Sequence, residues 1–148
     1  MSRPAVLLGA GAGAAIRRLA EAAYPHEGCG VLIGSYAAGG EIAVEEATSG
    51  RNLWIERMRD RYDLDPADIA AAERQARAVG RDVVGFWHSH PDHPAQPSQF
   101  DTDRAWVDYA YLIVNTTSQG SGDLNGFRLE GEGQPFQPVA VLVGERVP

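Results

Sequence analysis

Lysine is absent from this 148-residue chain: all 13 basic residues are arginine, set against 20 acidic residues for a formal charge of −7. That balance disfavours a nucleic-acid binder, which needs a basic face to track phosphates. It suits a soluble protein, and a high-salt or GC-rich background fits it equally well. Cysteine is almost missing too. The lone Cys29 excludes an internal disulfide and cannot build a cysteine-rich zinc site, which points to the reducing cytoplasm as the expected compartment. No apolar run approaches the roughly 20 residues that span a bilayer. The N-terminal stretch is interrupted by Arg17 and Arg18, so it is read as structured and retained, with no membrane attachment. Repeats and low-complexity linkers are lacking as well. One domain over residues 1–148 is therefore expected, long enough to bury a sizeable core. Its 44% hydrophobic and 22% charged residues argue against disorder.

Hydrophobic periodicity then sets out the elements. A short strand is expected at Ala5–Leu8, followed by a small-residue turn. A helix follows over Ala12–Ala23, where Ile16, Leu19, Ala20 and Ala23 recur at helical spacing and Pro25 ends it. "GVLIGSY" reads as a buried strand and "AAGG" as a hairpin turn into a strand at Glu41–Ala47. A further strand is expected near Arg61–Leu64. The clearest helix follows, with Asp65 as N-cap, Pro66 at its first position and Gly80 just past its end. "DVVGFWHSH" is a strand, a short helix runs from Ser98 or Gln99 through Trp106, and "YAYLIVN" is a buried strand. A glycine-rich turn separates that strand from a last pair at Gly126–Glu130 and Phe136–Val143. The expected fold is α/β: one mixed, largely antiparallel sheet flanked by helices.

Of the motifs, "GAGAGA" at Gly9–Ala14 formally matches a dinucleotide-binding fingerprint. That pattern has meaning only inside a βαβ unit, and a hairpin follows here, so a flexible turn is the better reading. The histidines carry more. Three of the four fall within "HSHPDH". His88 and His90 stand two apart at a strand end, so both imidazoles face the same side. Asp101 lies one helical turn beyond Ser98 and could supply an oxygen. Two histidines and a carboxylate leave a fourth position open, the catalytic pattern for zinc. Solvated loop histidines explain the same segment, and the residues alone leave both readings open. Glu27, between a helix-ending proline and a buried strand, is a candidate proton acceptor. An ordinary exposed loop glutamate is the plain alternative.

The ungapped run His88, Ser89, His90, seven residues, Ser98, two residues, Asp101, together with the upstream "YPHEGCGVLIG" and "VVGFWHSHP", resembles the JAMM, or MPN-plus, zinc metalloproteases. That family has a cytidine-deaminase-like fold. The resemblance covers nearly the whole chain. It implies one Zn2+ held by His88, His90 and Asp101. It makes Glu27 the general base that takes a proton from the attacking water and passes it to the leaving amine, and Ser98 the donor to the developing oxyanion. His93 lies in the spacer and matches no motif position. Cys29 stands where the family often has cysteine and reads as a buried thiol, with a labile metal contact the alternative. Ser89, between the ligands, reads as structural, and Asp103 should face elsewhere on the short helix.

The chain lacks the inserts that the ubiquitin-specific branches use to grip ubiquitin, and so resembles the minimal bacterial forms. Those trim or deconjugate ubiquitin-fold sulfur-carrier proteins after a C-terminal Gly-Gly. The implied partner is such a carrier, and the implied activity is peptidase or isopeptidase hydrolysis. Two alternatives stand beside it. One is a zinc-binding but non-catalytic MPN scaffold. The other is a zinc deaminase, whose H-x-E…P-C-x-x-C signature a single cysteine cannot supply.

Overall fold

The computed structural model describes residues 4–53, 63–129 and 131–144. Its elements run β1 (Val6–Leu8), α1 (Ala10–Ala23), β2 (Cys29–Tyr36), β3 (Ile42–Ala47), α2 (Pro66–Ala78), β4 (Asp82–Pro91), α3 (Gln99–Asp103), β5 (Ala110–Thr117), β6 (Gly120–Leu129), β7 (Phe136–Val139) and β8 (Val141–Val143). All eight strands share one mixed sheet in the order β7-β6-β5-β4-β2-β3-β1-β8. The pairings of β2 with β3 and β4, and of β6 with β5 and β7, are antiparallel; β1 with β3 and β8, and β4 with β5, are parallel.

Only Ala140 separates β7 from β8, so the two ends of that strand order are one continuous run of chain. The sheet curls until its ends meet, with Val6 N–H donating to the Ala140 carbonyl at 2.9 Å. Buried Arg128 on β6 donates to the carbonyls of Pro4 and Gly40 and ties the closure from the other side. Two expectations are thereby corrected. The segment Phe136–Val143 is not one strand beside its neighbour but a strand that changes partners at Ala140. The stretch from Gly120, which reads as a turn from its glycines and serines, is the first half of β6. Helix α1 holds that half in place: Arg17 donates to Ser121 Oγ and the Gly122 carbonyl, and Glu21 accepts from Ser121 N–H and O–H.

The core lies on both faces. Ala12, Ile16 and Ala20 of α1 pack against Val6, Leu8, Leu32, Ile42, Val44, Leu112 and Val114. On the other face Ala72 and Ala76 of α2 join Val31, Ile33, Phe86, Tyr111 and Ile113. Helix α1 begins at Ala10, so Gly11 and Gly13 lie inside it rather than in a turn. The two strands flanking it are not neighbours, since β3 lies between β1 and β2. No βαβ unit frames the glycine run, and the dinucleotide pattern has no structural basis here. Helix α2 starts as its sequence says, with the Asp65 carboxylate accepting from Ala67 N–H at 2.9 Å and Pro66 opening the helix. Helix α3 is shorter than expected and ends at Asp103. The strand expected at Arg61–Leu64 falls partly outside the described residues; Leu64 makes an isolated bridge with Asn52.

Gly30 on β2 leaves room for the Trp87 side chain to reach the Thr48 carbonyl across the face of the strand. A Cβ there would overlap both the Thr48 carbonyl oxygen and the Trp87 indole nitrogen. Those two atoms are bonded to each other at 2.8 Å across the glycine. Glycine is what the close crossing permits.

Candidate metal centre

Strand β4 carries two registers of side chain. Trp87 and Ser89 face α1, while Phe86, His88 and His90 share the other face, as period-2 alternation requires. Both histidines are buried, and their Nε2 atoms lie 3.1 Å apart. Asp101 comes from α3, eleven residues on, and its Oδ2 lies 3.3 Å from His88 Nε2 and 3.2 Å from His90 Nε2. Glu27, only 4% exposed, arrives from the segment that enters β2. Its carboxylate forms a set with the two imidazoles in which all ligand-type atoms lie within 4.8 Å of one another. The structure therefore brings together all four of the residues expected to hold the metal or move a proton.

Ser98 is at the same place but is tied down differently than expected. It is the N-cap of α3: its Oγ accepts from Asp101 N–H at 3.0 Å, and its own N–H donates to Asp101 Oδ2 at 2.8 Å. The S-x-x-D spacing is thus a capping box. It aims the Asp101 carboxylate at the histidines, a structural role that the sequence pattern carried and that the oxyanion reading passed over. Ser98 is exposed, and no acceptor takes its hydroxyl proton among the described residues.

The spacer between the histidines and Asp101 is pinned by residues far away in sequence. Asn115 on β5 donates to the His93 carbonyl at 2.8 Å, and Asn125 on β6 donates to the Ala95 carbonyl at 3.0 Å. Tyr24, after α1, donates to the Asp92 carboxylate. These anchors were not singled out from sequence, because an isolated asparagine or tyrosine gives no local signal. The fourth tie is chemical as well as structural: His90 Nδ1 lies 2.8 Å from the Pro94 carbonyl. A carbonyl has no proton, so Nδ1 must be the donor. In the neutral ring, Nε2 then presents a lone pair to the cluster.

That tautomer tests whether the site fits a metal. Burial opposes charge on Asp101, but the His88 ring and the Ser98 N–H more than offset it and hold the carboxyl well below the usual carboxylate range. Burial likewise pushes the His88 imidazole towards its neutral form, outweighing Asp101. An ionised carboxylate, the lone pair that His90 presents from Nε2 and the Nε2 edge of His88 thus converge on one point, a donor set that suits a cation. The spacing agrees. Ligands about 2.0–2.1 Å from a tetrahedral zinc stand about 3.3–3.4 Å apart, close to the 3.1–3.3 Å seen here. Of the two other candidate ligands, His93 stacks its ring on His90 with centroids 4.4 Å apart. Burial, with the charges of Glu27, Asp68 and Asp63, pushes the Cys29 thiol up to about 12, opposite to what a thiolate ligand needs.

Comparison with known proteins agrees with this geometry. Residues 10–129 match the model of the prokaryotic homologs of the JAB domain. The chain belongs to that family. It is 34% identical over 120 residues to a desampylase of Haloferax volcanii, covering 80% of this chain and 79% of the relative. It is 36% identical over 118 residues to tail tip assembly protein K of Escherichia phage N15; there it spans 80% of this chain but only 43% of the phage protein. Among solved structures, a protein from Desulfitobacterium hafniense aligns with a TM-score of 0.80 at 25% identity, over 96% of this chain and 94% of that one. A protein from Salinibacter ruber aligns at 0.69 and 34% identity, over 88% and 86%. This JAB-domain protein is a hydrolase of the JAMM type, built as one sheet flanked by helices. Among the described residues, no helix is long and apolar enough to cross a membrane.

Proposed function

We propose that this JAB-domain protein is a zinc-dependent peptidase or isopeptidase that cuts after the C-terminal Gly-Gly of a small ubiquitin-fold carrier, of the sulfur-carrier kind. The observation that carries the reading is the convergence of His88 Nε2, His90 Nε2 and the Asp101 carboxylate, with the Glu27 carboxylate beside them. His88, His90 and Asp101 would hold one zinc per chain. Bound there, zinc supplies Lewis-acid polarisation and a water nucleophile at neutral pH.

The chain's own groups do the rest. Glu27, whose carboxylate lies within 4.8 Å of the imidazole nitrogens, acts as general base: it takes the proton of the attacking water and returns it to the leaving amine. Its burial keeps that proton from leaking to solvent. The Ser98 hydroxyl, at the rim and with its proton unclaimed, donates to the carbonyl oxygen as negative charge develops. Beside the site, Phe86 precedes His88 by one strand repeat. With Trp106, Tyr111, Leu64 and Ile69 it lines an apolar pocket of about 250 Å³, rimmed by the Arg104–Asp63 ion pair at 2.6 Å. A residue upstream of the diglycine fits there while the glycines pass the metal without a Cβ. The relative named as a desampylase supports a ubiquitin-like partner. A cytoplasmic setting suits the single reduced cysteine.

The test offers the zinc-loaded protein a carrier with one residue beyond Gly-Gly, the same carrier ending in Ala-Ala, and an isopeptide-linked ubiquitin dimer, with products read by mass. Cleavage of the Gly-Gly carrier well ahead of the other two is expected. Equal cleavage of the Ala-Ala tail refutes the narrow passage. Efficient cleavage of the ubiquitin dimer alone assigns a different substrate. A zinc-loaded protein inert towards every carrier makes it a binding scaffold.

A further inference from the structure

Glu27 has no strand of its own to hold it. The β2–β4 ladder ends at the pair Cys29 and His88, so the base sits two residues past the last regular rung. If the ladder continued, Gly28 and Ser89 would be the next pair and would exchange two backbone hydrogen bonds. They exchange one. Ser89 N–H donates to the Gly28 carbonyl at 3.0 Å. The Gly28 N–H goes instead to the Ser89 hydroxyl, at 2.8 Å. The hydroxyl thus stands where a backbone carbonyl would in a regular ladder, and the chain leaves β4 at the residue next to the base.

Several features make this contact a fixed one. Ser89 is fully buried and lies between the two histidines on β4. Its neighbour Trp87 closes over Gly28, where an added Cβ would come within 3.3 Å of the indole ring and 3.1 Å of Ala23. The segment cannot slide away from β4 without breaking that packing, nor towards it without expelling the hydroxyl.

We infer that Ser89 is a positioning residue for the base: its hydroxyl closes the last rung of the β2–β4 ladder and sets the distance between the Glu27 carboxylate and the His88–His90 pair. Ser89 touches neither substrate nor metal and acts only through Gly28. The inference rests on Glu27 being the proton acceptor. Alanine at position 89 leaves the Gly28 N–H without its acceptor and lets the base drift, and misplacement of a reacting group by about 1 Å lowers a rate by roughly a hundred-fold. Threonine keeps the oxygen.

The experiment compares wild type, Ser89→Ala and Ser89→Thr as full-length, zinc-loaded proteins. It measures kcat and KM on the Gly-Gly-extended carrier, zinc content, and exchange of the Gly28 amide by NMR. For Ser89→Ala, kcat should fall by about a hundred-fold with KM and zinc content unchanged, and the Gly28 amide should exchange markedly faster. Ser89→Thr should restore both kcat and amide protection. Wild-type kcat in Ser89→Ala overturns the inference, as does loss of zinc in step with activity, which would make Ser89 a support for the ligands. A threonine variant that protects the Gly28 amide but stays slow overturns it too. If wild type itself cleaves no carrier, the functional reading fails; if wild type cleaves and Ser89→Ala is equally fast, only this inference does.

Discussion

Replacing Ser98 separates the two roles that meet in one hydroxyl. As N-cap of α3, its Oγ accepts from Asp101 N–H, and Ser→Ala at such a position costs about 1 kcal/mol, whereas Ser→Gly costs a few tenths. An unfolding entropy of about 2.1 cal/mol/K per residue gives roughly 0.3 kcal/mol/K for a chain of this length, so 1 kcal/mol lowers Tm by about 3 °C. Ser98→Ala should therefore melt about 3 °C below wild type and Ser98→Gly within about 1 °C of it. As oxyanion donor, the same hydroxyl is absent from both variants, so each should lose about a hundred-fold or more in kcat. KM should change little, because the bond strengthens only as charge develops. The assay is thermal melting of the zinc-loaded proteins beside steady-state cleavage of the extended carrier. If activity follows the cap, with Ser98→Gly near wild type and Ser98→Ala impaired, the hydroxyl acts only by aiming Asp101. The oxyanion would then lack its proposed partner.

Glu27→Gln should abolish turnover while retaining about one zinc per chain by elemental analysis; joint loss of metal and activity would make Glu27 a ligand. His88→Ala combined with His90→Ala should empty the site, and zinc equal to wild type would sink the ligand assignment. Cys29 is buried and its thiol is pushed up to about 12, so the native protein should resist iodoacetamide at pH 8 and react on denaturation; rapid native alkylation refutes the placement. In metal-free protein, burial lowers the pKa of His88, and Asp101 is lowered as well. In both cases the unfolded chain binds the proton more readily, so stability is lost as pH falls. The loss should begin below about 6.5 for His88 and deepen below about 4 for Asp101. Urea midpoints unchanged between pH 8 and pH 4 would refute it.

The local parts of this protein were legible in its sequence. The pairing of His88 with His90 follows from strand alternation alone, and the start of α2 from Asp65 and Pro66, because both depend on neighbours a few residues away. The capping box at Ser98 and Asp101 is equally local and could have been read the same way. Other features needed the tertiary structure. Glu27 meets the histidines only because β2 runs antiparallel to β4, and residues 61 apart in the chain touch through a ladder whose partner no local pattern names. The first half of β6 is rich in glycine, serine and aspartate, so its own propensities say turn; Arg17 and Glu21 of α1 and the facing strand β5 override them. The run Phe136–Val143 has the composition of one strand, yet it divides at Ala140 to close the sheet, since each half finds a different open edge. Which edge each half joins depends on how the other strands are arranged, and that is a property of the whole chain.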